Sequence, residues 1–148
     1  IASAGPLSNV LLACIATLVF AAIFVAQPES LSMFQYVLSP SGSQAASYHR
    51  EFPTLFLSLR MLFMFVQINV VLAIFNLIPV HPLDGGKILA RFLPETWNRF
   101  LEDNQQMFSI ALMVLFMSGL NILATPVFKT VFFLLGFAEK LAFAIGGG

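Results

Sequence analysis

Apolar residues dominate from Leu7 to Ala26, from Leu55 to Ile78 and from Met107 to Ala124, with polar stretches between them. A helix needs roughly 20 such residues, at ~1.5 Å each, to cross the hydrocarbon core of a bilayer. The pattern predicts three membrane-spanning helices, at about residues 7–26, 55–78 and 107–124. The one charge within them, Arg60, lies near the start of the second, where a long side chain can snorkel to the interface. Between the first two, residues 27–53 carry Pro28, Glu29, Pro40, Ser41, Gly42, Ser43, Arg50, Glu51 and Pro53. That composition breaks helices and predicts an exposed connection, with Leu31 to Leu38 as a short amphipathic piece. From His81 to Gln106 charges are frequent, while Ile88, Leu89, Phe92 and Leu93 recur at helical spacing, so a helix lying near the membrane surface is expected. Residues 127–145, with Lys129, Glu139 and Lys140, form a short terminal apolar helix whose crossing the pattern leaves open.

Composition agrees with a membrane chain. Of 148 residues, 59% are hydrophobic and 9% charged, with 17 Phe, whereas soluble domains carry about a quarter charged residues. Seven Lys and Arg balance seven Asp and Glu, which leaves no basic patch to neutralise phosphates and excludes nucleic-acid binding. The single cysteine, Cys14, rules out a disulfide framework or a four-thiolate metal site within the chain. Lys87, Arg91 and Arg99 follow the second span, against Arg50 alone before it, a bias of two charges that favours the later connection on the cytoplasmic side.

The chemistry concentrates in Asn76-Leu77-Ile78-Pro79-Val80-His81-Pro82-Leu83-Asp84-Gly85-Gly86-Lys87, directly after a membrane-spanning helix. Pro79 and Pro82 each remove a backbone donor, and Gly85-Gly86 permits close backbone approach. Non-helical backbone at membrane depth is tolerated only where protein buries it or water solvates it, so this stretch is expected to line a cavity containing Asp84. An intramembrane carboxylate marks a functional site and calls for a cation. The alternative is that Asp84 merely caps the helix beginning near Gly85. Gln67, Asn69 and Asn121 read as interhelical hydrogen-bonding amides. His81 reads as a rim histidine rather than a ligand, and His49 as a residue of a solvated loop. Lys87 and Arg91, one turn apart, read as a solvated or headgroup-facing edge.

Asn76-x-x-Pro79-x-x-Pro82-Leu83-Asp84-Gly85-Gly86 resembles the signature around the third metal ligand in the site-2 protease family of intramembrane zinc metalloproteases. Gly5-Pro6-Leu7-Ser8-Asn9, opening the first apolar helix, resembles the Gly-Pro-x-x-Asn element of the preceding span in that family. The resemblance implies a Zn2+-dependent peptidase that cleaves transmembrane or membrane-adjacent segments of other proteins, with Asp84 as a metal ligand and Asn76 close to the substrate carbonyl. In that family the other two zinc ligands and the general base come from an H-E-x-x-H helix. This chain has none, its histidines being His49 and His81. Catalytic zinc takes three protein ligands plus a water that it acidifies. The family's H-E-x-x-H helix precedes the Gly-Pro-x-x-Asn element, and the sequence opens almost at that element without a Met, so the missing helix is expected upstream.

The expected fold is all-α, a polytopic membrane helix bundle with residues 1–148 as one membrane-embedded peptidase core, integral to a bacterial or archaeal cell membrane. Two other functions stay open on the residues alone: an ion- or proton-coupled transporter using Asp84 in a broken helix, and a non-catalytic membrane relative.

Overall fold

The computed structural model describes residues 4–38, 43–80, 83–117 and 123–146, and those residues form eight helices and no strand. In chain order they are α1 Ala4–Ala26, α2 Glu29–Leu38, α3 Ser43–Glu51, α4 Pro53–Asn76, α5 Asp84–Ala90, α6 Glu95–Asp103, α7 Gln105–Met117 and α8 Ala124–Gly146.

Helices α1 and α4 are long and apolar enough to cross a membrane. Their 23 and 24 residues give about 35 Å of helix each, against a hydrocarbon core of ~30 Å. Both are apolar all round, and large side chains point outward: Leu7, Leu11, Ile15 and Leu18 from α1, Met61, Phe65, Ile68 and Leu72 from α4. In water such a surface would drive association, whereas lipid tails solvate it without cost.

The third expected span is not met by the described helix. The 13 residues of α7 reach only about 20 Å, and the remainder of the stretch, at 118–122, lies outside the described residues. Conversely, the terminal helix is not short. Pro126 falls in its first turn, where a missing N–H costs nothing, so α8 runs unbroken over its 23 residues.

The chain divides into two compact units, residues 1–11 with 70–129 and residues 12–69 with 130–148, with α1, α4 and α8 contributing to both. In the second unit Ala13, Ala16, Phe20 and Phe24 of α1 recur every three or four residues and are buried, as are Met33, Val37, Phe56, Leu59, Val131 and Leu135. Phe34 meets Phe20 and Phe24 edge-on at 5.5 and 5.4 Å, which docks the expected amphipathic piece, α2, on α1. The connection at 27–53 is not the irregular segment its composition predicts. Tyr36 and Tyr48 pack with their rings tilted and centroids 5.3 Å apart, the Tyr36 hydroxyl donates to Gln44 Oε1, and α3 forms because α2 gives it a partner. His49 accordingly sits on a helix, its ring edge-on to Phe56 at 5.7 Å.

The other unit holds the motif-bearing residues. The surface helix expected over 81–106 divides into α5 and α6, because Pro94 cannot continue a helix from Ala90 but suits the position before Glu95.

Candidate functional site

Asn76 is the last residue of α4 and is half-buried. The helix winds down through shared and short bonds, with Leu77 N–H donating to Ala73 and Ile74 carbonyls and Ile78 N–H to that of Phe75. Pro79 has no N–H to continue the ladder. Val80 N–H donates to Ile78 O at 2.8 Å and Leu83 N–H to Val80 O at 2.9 Å, so the chain turns back within a few residues and restarts as α5.

That reversal sets the requirement for glycine at position 85. A Cβ there would lie 2.4 Å from both the Leu77 and Ile78 carbonyl oxygens, which are backbone and cannot rotate away. Leu77 and Ile78, which follow Asn76, are thereby brought into close backbone contact with Gly85, which follows Asp84.

Asp84 is the first residue of α5, not its cap. Leu83 holds the cap position, with extended φ −67° and ψ 159°, and no side chain caps the helix. The Asp84 carboxylate is engaged elsewhere. Oδ1 accepts a hydrogen bond from Lys87 Nζ at 3.1 Å, and Oδ2 lies 2.6 Å from where a Cβ on Gly5 would stand. The two sequence elements, some eighty residues apart in the chain, thus meet at a carboxylate laid against the backbone of α1. With 24% of its side chain exposed, Asp84 is sheltered without being sealed from solvent.

The sequence pattern marks Asp84 and Asn76, with Gly85 as a point of close backbone approach, but does not mark Gly5 or Lys87 as parts of the site. Gly-Pro opening a helix was the available signal for Gly5. The i, i+3 spacing of Asp84 and Lys87 was the signal for the ion pair. Lys87 is exposed, as expected for a polar edge, yet it reaches back to the carboxylate. His81 lies outside the described residues, as does Asn121. Asn69 is expected to bond across helices, but among the described residues its Nδ2 donates to Phe65 O at 2.8 Å, one turn back in α4.

The donor set bears on any metal. Among the described residues no three of His, Cys, Asp and Glu come together, and one carboxylate falls short of the three protein ligands a catalytic zinc takes. The described residues alone do not fit a zinc site.

A family model described as Peptidase family M50 matches residues 1–120, which include both Gly5-Pro6 and Asp84-Gly85. No curated protein and no solved structure matches the chain. A match over this much of the sequence, joined to the meeting of its two motifs at Asp84, establishes that the chain belongs to peptidase family M50, the site-2 protease family of membrane proteases.

Proposed function

We propose that residues 1–148 form a membrane-embedded core of a zinc-dependent endopeptidase that hydrolyses peptide bonds in or near transmembrane segments of other proteins. In this reading Asp84 gives the metal one ligand and Asn76 hydrogen-bonds the substrate backbone. The observation that carries the reading is the placement of the Asp84 carboxylate. It is not spent on capping α5, and it is fixed against Gly5 of a helix long enough to span a bilayer. Family membership supports the peptidase chemistry, and the outward apolar faces of α1 and α4 support a membrane-resident substrate.

Each residue of this chain has a part that its position supports. Gly5 leaves the gap that lets the carboxylate approach α1. Gly85 allows α5 to start hard against the end of α4 and so sets where Asp84 stands. Lys87 balances the carboxylate charge from the solvent side. Asn76 presents an amide at the helix end, where a strand of substrate would need donors and acceptors to replace water. The remaining metal ligands are not among the described residues.

The test is cleavage of a reporter transmembrane substrate by the full-length protein in vesicles. Cleavage that a chelator abolishes and added zinc restores supports the reading. Cleavage indifferent to the chelator removes zinc from it, and zinc-loaded protein that leaves the substrate intact removes the peptidase assignment.

A further inference from the structure

None of the nine residues of α6 is buried, although the helix is strongly two-faced. At about 100° per residue, Phe100, Trp97 and Leu101 fall together on one side, while Glu95, Arg99, Glu102 and Asp103 gather opposite. Trp97 is 59% and Phe100 49% exposed, their rings edge-on at 6.4 Å. Phe92, just before the helix, is 80% exposed. An aromatic face of this size left in water forfeits a large part of its burial energy.

What covers it follows from the neighbouring helix. Asn104 alone separates α6 from α7. The Phe100 ring packs edge-on against Phe108 of α7 at 6.4 Å, and α7 turns Met107, Ile110, Met113 and Val114 outward. The aromatic face of α6 therefore continues into an outward apolar surface of a membrane protein. Asn98 holds the helix in this attitude, its Nδ2 donating to Ala90 O at 2.7 Å and Leu93 O at 3.4 Å at the end of α5. Tryptophan, with an apolar ring and one N–H donor, suits the boundary between headgroups and acyl chains.

We propose that α6 is an interfacial anchor, lying in the plane of the membrane with Trp97 and Phe100 inserted at the boundary between headgroups and acyl chains. Its polar face carries Arg99 against Glu95, Glu102 and Asp103, so aromatic burial rather than attraction to anionic lipid drives the insertion, and uncharged phosphatidylcholine suffices. The inference does not depend on the peptidase reading, since an inactive protein would anchor equally.

Trp97 is the one tryptophan of the sequence, which makes its emission a direct probe. The protein is reconstituted in phosphatidylcholine vesicles with bromines placed either just below the headgroup or near the chain ends, and Trp97→Phe supplies the background. Stronger quenching by the shallow bromines, with little quenching by aqueous iodide, is the expected result. Stronger quenching by the deep bromines would overturn the interfacial position. Ready quenching by iodide would show a solvated helix, and protection from iodide and bromines alike would show a protein partner or a second copy on this face. Phe100→Gln, at a half-exposed ring whose loss leaves the helix backbone intact, is expected to shift Trp97 emission to the red and to lose most of the shallow quenching. An unchanged profile in that variant would equally refute insertion through this face.

Discussion

Adding one methyl group at Gly5 tests whether the position of the Asp84 carboxylate matters. In Gly5→Ala the new Cβ would stand 2.6 Å from Oδ2, and ordinary contact begins at 3.4 Å, so the carboxylate has to retreat by most of an ångström. A ligand oxygen is usable only within ~0.2 Å of its proper distance, and misplacing a reacting group by about 1 Å can cost ~10²-fold in rate. Cleavage of a reporter transmembrane substrate is therefore expected to fall by about 10²-fold. Stability should move the other way or not at all, because alanine is favoured over glycine in a helix by up to ~1 kcal/mol. Gly136→Ala is the matched control: the same methyl in α8 meets nothing within 4 Å, so it should raise the unfolding midpoint and leave cleavage unchanged. Initial rates in vesicles, read beside thermal unfolding in detergent, separate the two effects. Wild-type cleavage by Gly5→Ala would refute the reasoning, because a displaced carboxylate would then be doing the same work.

Three further substitutions probe the rest of the site. Gly85→Ala drives a methyl into the Leu77 and Ile78 carbonyl oxygens and is expected to cost at least ~1–3 kcal/mol in detergent unfolding, with cleavage lost as well; an unchanged midpoint would mean that α4 and α5 do not meet this closely. Asn76→Ala should lower turnover by ~10²–10³-fold, the loss typical of one transition-state hydrogen bond, while zinc content measured on the same preparation is retained; parallel loss of both would make Asn76 a support for the metal. Lys87→Gln removes an ion pair whose lysine is 54% exposed, so chemical denaturation should register less than ~1 kcal/mol, and a larger change would show the pair to be shielded from water.

Helices α1 and α4 were legible within a few residues, because a long run of apolar side chains, broken by the single charge of Arg60, has no other inexpensive solution in a membrane. The break after Asn76 was legible for a similar reason: Pro79 cannot extend the ladder whatever surrounds it. What escaped the sequence depended on partners. Helix α3 is built from polar residues of ordinary propensity and exists because Tyr48 and His49 find Tyr36 and Phe56. The choice between a capping and a free Asp84 turned on one residue of register, since α5 begins at Asp84 and leaves Leu83 in the cap position. Gly85 carried a legible signal of close backbone approach, which the Leu77 and Ile78 carbonyls bear out, whereas the crowding at Gly5 comes from Asp84, a distant chain segment that local pattern cannot place.

The central claim is that Asp84 serves as a metal ligand at the point of cleavage, and Asp84→Asn tests it most directly. Asparagine keeps the shape and removes the anion, and a neutral amide is a poor partner for a dication. In the full-length protein reconstituted in vesicles, the account predicts that this variant inserts normally, loses cleavage of the reporter substrate and holds less zinc than the wild type. Zinc content and cleavage both at wild-type level would contradict it.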